Sequence, residues 1–341
     1  MPLLQGPDGL VHDLLADPAV RARYELALQR IHQRDPAGAV PLLQEVVRAA
    51  PEFAPAHEVY QDTALELGRL PEGKHIEDEM RASYATAPGS ENSPLQLYLR
   101  ARITADTGKQ IEALNQALAR DPGFFRAHLA LGRLRRSLNQ LEPAMSSQRA
   151  ALSSNPRCAE ASLELAELLV AAGRGREAEP HYQNYIRQEP SDRLARKQYA
   201  QLLIYELAQP TLARPIVEAL RREDGGDVDV LMDLAAVEWK TSRAAQAREL
   251  YKLVLETDRT QSRAALNLGN LWYEVLARGS REQKQVAWRK ARMAYLYYLN
   301  MRRHDGVLDA LDYHLGVPYR LERIAAEVGP HDGRVPALDD F

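Results

Sequence analysis

The sequence predicts an all-α solenoid, a pile of helix–turn–helix units, on three observations. Asp121-Pro122, Asn155-Pro156 and Glu189-Pro190 stand 34 residues apart twice over. Between these marks small and apolar residues recur in register: Leu131/Gly132 returns as Leu165/Ala166, Ala144 as Ala178, and Gln148 and Ala151 as Tyr182 and Tyr185. No stretch alternates apolar and polar residues as a strand does. A period of this length marks stacked repeats, because one helical hairpin cannot bury its apolar face alone and a neighbouring copy supplies the missing surface.

Within the 125–156 unit the first helix carries Ala127, Leu129, Ala130, Leu131, Gly132 and Leu134, so that a neighbouring helix can approach closely at Gly132. The second carries Ala144, Met145, Ala150, Ala151 and Leu152 and ends at Asn155-Pro156, since the residue before proline is pushed out of the α region.

Taken in order, residues 1–19 are expected to form an N-terminal cap helix with Leu10, Val11, Leu14 and Leu15 on one face. About eight units follow over residues 20–302: 20–53, 54–88, 91–122, 125–156, 159–190, 193–226, 228–260 and 262–302. Asp17-Pro18 reads as N-cap and first helical residue of the first unit, and Asp35-Pro36-Ala37-Gly38 as its internal turn. The second unit keeps Gly68 at the turn but is stretched by three residues, with Met80 and Ser83 in the second-helix slots. In the third, Gly108 sits late and is expected to shorten the second helix. The sixth has Tyr199/Ala200 and then Leu212, Ile216, Ala219 and Leu220; the seventh has Leu234/Ala235, Ala247 and Tyr251. The eighth opens with Leu268/Gly269, but its second helix fits only with about ten inserted residues, which puts Ala291, Tyr295 and Tyr298 in register, and Ser280 with Gln283 as a capping box. Residues 303–328 are expected to form C-terminal capping helices, and 329–341 a mobile tail.

These residues resemble the tetratricopeptide repeat. In the unit beginning at Ala159 the match to that family's pattern is Leu165, Ala166, Gly173, Ala178, Tyr182 and Pro190, with Tyr185 standing where a small residue is usual. The resemblance implies a right-handed superhelix whose first helices line a concave groove that takes an extended peptide or a short helix. It places Lys197, Gln201 and Tyr205 on the groove in the sixth unit, Met232, Ala236, Trp239 and Lys240 in the seventh, and Arg263, Asn267, Asn270 and Tyr273 in the eighth. Cationic, amide and aromatic groups together suit an acidic or carboxyl-ended peptide. The family's clamp for a carboxyl terminus is not expected, because Asp233 stands where asparagine would be needed.

Composition narrows the function classes. A net charge of -3 argues against a general nucleic-acid or anionic-membrane binder. No segment approaches the apolar length of a membrane span, and the amino terminus has no secretory pattern. The lone Cys158 is read as a packed thiol between repeats. The nine histidines are dispersed, and His57-Glu58 lacks the second histidine of a zinc helix. Glu77-Asp78-Glu79 point in different directions and read as a solvated face. Arg126, Arg133 and Arg136 face Glu160, Glu164 and Glu167 of the next unit and are expected to pair across the boundary. The sequence therefore predicts a cytoplasmic, bacterial scaffold with no catalytic residues, cofactor or metal, binding a protein or peptide, with homo-oligomerisation through the capping elements left open. A regulator whose superhelix changes pitch on peptide binding and an accessory subunit of an enzyme are the alternatives.

Overall fold

A computed structural model describes residues 17–85, 93–304, 315–331, 333–334 and 336–337. The described residues hold seventeen α-helices and no strand, so the all-α expectation is met. The chain divides into two compact units, Met1–Glu189 and Pro190–Phe341.

The described residues of unit one form five helix pairs in sequence: α1 (Pro18–His32) with α2 (Pro36–Ala49), α3 (Ala54–Leu67) with α4 (Lys74–Ala85), α5 (Pro94–Ile103) with α6 (Thr107–Arg120), α7 (Phe125–Ser137) with α8 (Leu141–Ser154), and α9 (Ala159–Ala171) with α10 (Gly175–Gln188). Caps place the starts: carboxylates of Asp17, Asp35 and Asp106 accept from the backbone N–H of Ala19, Gly38 and Lys109, and the Ser93 hydroxyl accepts from Gln96. Gly132 makes the close approach its place predicts, since a Cβ there would stand 2.4 Å from Gln148 Nε2 on α8. The third pair departs from expectation. Its second helix, α6, runs a full 14 residues, whereas its first, α5, has only 10. Gly108 falls in the first turn of α6, where it interrupts nothing. Glu77 is buried rather than solvated, clamped by Lys74 at 2.8 Å and Arg81 at 2.7 Å.

Unit two holds α11 (Arg193–Gln201), α12 (Pro210–Glu223), α13 (Val228–Lys240), α14 (Ala244–Thr257), α15 (Ser262–Leu271), the 24-residue α16 (Arg281–His304) and α17 (Val317–Val328). Both α11 and α15 end in a π turn, Leu202–Glu206 and Trp272–Leu276. The first of these shifts the register of α12 by one residue. Ala213, Val217 and Leu220 are buried there, and Leu212, expected inside, is 55% exposed. The long α16 absorbs the expected insertion: Tyr295 packs on Gly269, where a Cβ would lie 2.6 Å from its ring. Its start is the expected capping box, with Ser280 N donating to Gln283 Oε1 at 2.9 Å and Gln283 N donating to Ser280 Oγ at 3.3 Å.

The expected N-terminal cap helix lies outside the described residues except for residues 17–19, as does much of the C-terminal capping stretch before α17. In the stretch expected to be a mobile tail, the Gly329 carbonyl accepts from Arg292 Nη1 at 2.7 Å and Pro336 is buried. Cys158 is buried at the start of α9. Among the described residues, no helix is long and apolar enough to cross a membrane.

Candidate functional site

The first helices of unit two carry the residues that the sequence assigns to a groove. Lys197 Nζ donates to Asp229 Oδ2 at 2.6 Å and lies 3.6 Å from Asp227. Gln201 Nε2 donates to Asp233 Oδ2 at 3.1 Å, and the Tyr205 hydroxyl donates to Asp233 Oδ1 at 2.9 Å. Burial pushes the Asp233 carboxyl above its ordinary value while these two donors pull it back. Burial, joined by the charge of Asp233, raises the Tyr205 phenol well above its own. Lys197 and Gln201 thus tie α11 to α13, one repeat apart, rather than standing free for an incoming carboxylate.

Around this tie the surface stays open. The Tyr205 side chain is 48% exposed although its hydroxyl is fixed, Met232 and Trp239 are half-buried, and Lys240 and Arg263 are exposed. Trp239 meets buried Tyr251 edge to face, with ring centroids 6.4 Å apart. Asn267 hydrogen-bonds Tyr251, and the charge of Arg263 reaches both Tyr251 and Tyr205. The structure therefore gathers Gln201, Tyr205, Arg263 and Asn267 about Asp233 and Tyr251.

Asn270 and Tyr273 meet a different neighbour. Asn270 Oδ1 accepts from the Tyr295 hydroxyl at 2.8 Å and from Arg320 of α17. Arg320 also donates to Glu274 at 2.8 Å and lies 5.6 Å over the Tyr273 ring. Tyr273 in turn stacks on Trp288 at 6.0 Å, and Lys284 Nζ sits 4.5 Å over Trp288. Cation, ring, ring and cation form one column that joins the end of α15 to α16 and α17.

In unit one the corresponding faces of α3, α5, α7 and α9 carry a second network. Tyr98 donates to Glu58 at 2.6 Å, Arg126 to the same carboxylate at 3.2 Å, and Arg102 to Asp62 at 2.6 Å and Gln61 at 3.0 Å. Arg133 binds Glu160 and Glu164, and Arg136 binds Glu167 at 2.6 Å, as their spacing predicts. Arg126 is buried and also reaches back to Glu58, 68 residues upstream, a tie that the spacing did not predict. Sequence reasoning missed Glu58, Asp62, Tyr98 and Arg102 because their units lie off the 34-residue lattice. A constant offset of 40 residues joins both pairs and was the available signal.

Two cavities open on this face. One of about 140 Å³ is lined by Glu58, Asp62 and Glu160 together with Tyr98, Arg102, Arg126 and Arg133. The other, of about 180 Å³, is lined mainly by apolar groups with Arg102, Arg126 and Arg133. In unit two a wide depression of about 680 Å³ lies over α12, α13 and α14. Its floor carboxylate, Glu238, is already held by Arg214 and Arg243. Among the described residues no group of three His, Cys, Asp or Glu side chains is placed to hold a metal ion.

Two overlapping stretches, residues 125–158 and 148–202, match family models described as tetratricopeptide repeat. Residues 125–202 carry tetratricopeptide repeats. The matched residues include the two pairs α7/α8 and α9/α10, in which the 34-residue lattice is cleanest. A search of the curated proteins returned no match. Among solved structures, YrrB, described as a tetratricopeptide repeat protein with an unusual peptide-binding site, is similar at 17% identity and a TM-score of 0.48, over 62% of this chain and 98% of its own. MamA of Desulfovibrio magneticus is similar at 13% identity and 0.46, over 53% and 96%. A tetratricopeptide repeat protein of Thermus thermophilus is similar at 21% and 0.39, over 54% and 99%. Tetratricopeptide repeats are in general modules of protein–protein interaction.

Proposed function

We propose that this protein is a non-catalytic scaffold that binds an extended peptide segment across the first helices of unit two, on the face of Lys197, Gln201, Tyr205, Met232, Trp239, Lys240, Arg263 and Asn267. The observation that carries this reading is Tyr205: its hydroxyl is anchored on buried Asp233 while about half of the side chain faces solvent beside the charge of Arg263. An aromatic side chain held in place before binding loses little conformational entropy when a ligand packs on it. Tyrosine and arginine are also the residues that most often dominate such contacts. Because Lys197 is neutralised by Asp229 and Asp227, discrimination falls to Tyr205, Arg263 and the half-buried Trp239.

The test is an array of random 12-residue peptides read against the intact protein and against Tyr205→Ala/Arg263→Glu. Peptides bound by the parent should lose affinity by about ten-fold or more in the double variant. The double variant should stay folded but melt lower, since buried Asp233 loses the Tyr205 donor at a cost of about 1–3 kcal/mol. Unchanged binding of every captured peptide would remove this face from the function.

A further inference from the structure

Charge is spread unevenly along the chain. Residues 240–303 hold 14 Lys or Arg against 5 Asp or Glu, a balance of +9, so the rest of a protein whose total is -3 carries -12. The excess gathers at the start of α16, where Arg278, Arg281, Lys284, Arg289 and Lys290 stand with Glu282 as the one carboxylate between them. The first four of these cations are exposed and Lys290 is half-buried. Earlier cations of unit two are neutralised: Arg196 by Glu223 at 2.7 Å, Lys197 by Asp229 at 2.6 Å and Arg214 by Glu238. Among the described residues none of the five at α16 forms an ion pair, and Glu274, just upstream, is taken by Arg320. Two of the five are held by rings instead. Lys284 Nζ lies 4.5 Å over Trp288, and Lys290 Nζ lies 5.3 Å over Trp272. A ring face positions a cation without cancelling its charge, as a carboxylate would. The N-terminal end of α16 adds its own partial positive charge to theirs. A patch of positive potential therefore stands on a protein that is acidic elsewhere.

The chemistry of the patch selects among anionic partners. A protein interface is built round an apolar centre, and a membrane surface binds a helix that has apolar groups to insert. Between residues 278 and 290 the exposed large apolar side chain is Val286 alone, at 47%. Trp272 and Trp288 are 9% and 4% exposed, so no ring face is offered for a single-stranded base to stack on. A duplex backbone needs neither feature, because cations bind it at its phosphates whatever its sequence. We infer that the start of α16 is a docking surface for the phosphate backbone of double-stranded nucleic acid, separate from the peptide face of unit two and independent of it.

The probe is a fluorescent DNA duplex of about 20 base pairs, titrated with the full chain at several salt concentrations. With about four cations each meeting a phosphate, affinity should fall by roughly 100-fold between about 50 and 200 mM salt. A duplex of unrelated sequence should bind within about two-fold of the first. Arg281→Gln/Arg289→Gln removes two exposed charges that leave no partner stranded, so melting should not move while the log–log salt slope becomes shallower by about 2. Single-stranded oligothymidine, poly-glutamate and vesicles of phosphatidylcholine with phosphatidylserine are titrated alongside, all with the unaltered protein, so these comparisons stand even if the variant folds poorly. No binding of the duplex at low salt, tighter binding of the single strand, equal binding of poly-glutamate, preference for the vesicles, or an unchanged slope in the folded variant would overturn the assignment. Tyr205→Ala should leave the duplex titration unaltered, so failure of the peptide face and failure of this patch are told apart.

Discussion

At the scale of single residues, the turns inside the repeats carry a cost that composition hides. In five pairs, the first and the fourth to seventh, the turn between first and second helix puts one residue in the left-handed region: Arg34, Asn139, Gly173, Ala208 and Ser242. Gly173 is the residue type that sterics favour there and Asn139 the next best; a Cβ in this conformation costs roughly 1–2 kcal/mol. Ala208→Gly should therefore stabilise unit two, and Gly173→Ala destabilise unit one, each by about 1 kcal/mol. Denaturant midpoints of the two variants check both signs. His57 gives a second prediction. Its Nε2–H donates to the Pro51 carbonyl at 3.0 Å and its Nδ1 accepts from the Tyr84 hydroxyl at 2.7 Å. Burial lowers its pKa, against the Pro51 bond, and His181 moves in the same direction, also chiefly through burial. With the folded value depressed, the unfolded chain binds protons that the folded chain refuses. The associated stability is whole above the ordinary histidine value and declines as pH falls from there toward the folded value. Melting should drop between about pH 7.5 and 5.5, and His57→Gln should flatten that slope. At this scale the close approach at Gly132 and the capping box at Ser280 were legible because glycine and capping residues declare their geometry. Left-handed Arg34, Ala208 and Ser242 were not, since nothing in their side chains marks a residue that the turn holds there by force.

At the scale of elements, helix identity and order were readable from apolar periodicity, and helix ends were readable only where a cap or proline stood. Two misreadings have physical causes. The short α5 was assigned to its partner helix because Gly108 resembles a breaker, yet a glycine in the first turn of α6 costs little. The π turn at Leu202–Glu206 inserts a residue that no propensity signals, so α12 rotated and Leu212 emerged. The ion pairs between first helices also divide by environment. Side chains of Arg126 and Glu58 are 9% and 19% exposed, against 46% and 38% for Arg133 and Glu160. Breaking a largely buried pair strands a charge, whereas an exposed pair is worth only about 0–1 kcal/mol. A double-mutant cycle with Glu58→Gln and Arg126→Met should give a coupling of about 2 kcal/mol, and the cycle with Glu160→Gln and Arg133→Met less than about 1 kcal/mol. Equal couplings would mean that burial does not set the strength of these ties.

At the scale of the molecule, stability in a repeat stack is a chain of neighbour terms rather than one shared core. Unit two shows how its last members are held. The column of Lys284, Trp288, Tyr273 and Arg320 joins three successive elements, and Asn270, Tyr295 and Arg320 share a hydrogen-bonded knot beside it. Trp288 is 4% exposed and central to that column. Its removal should cost roughly 3–5 kcal/mol locally, as for other buried tryptophans. If neighbour terms dominate, the loss stays where it is made. Trp288→Ala should accelerate amide exchange across residues 262–328 by orders of magnitude while α11 and α12, several packing steps away, keep most of their protection. Exchange rising equally over residues 193–328 would show unit two to be a single cooperative body. The Tyr205 face could then not be altered without disturbing the C-terminal helix, and the local groove substitutions proposed above would have to be read as global ones.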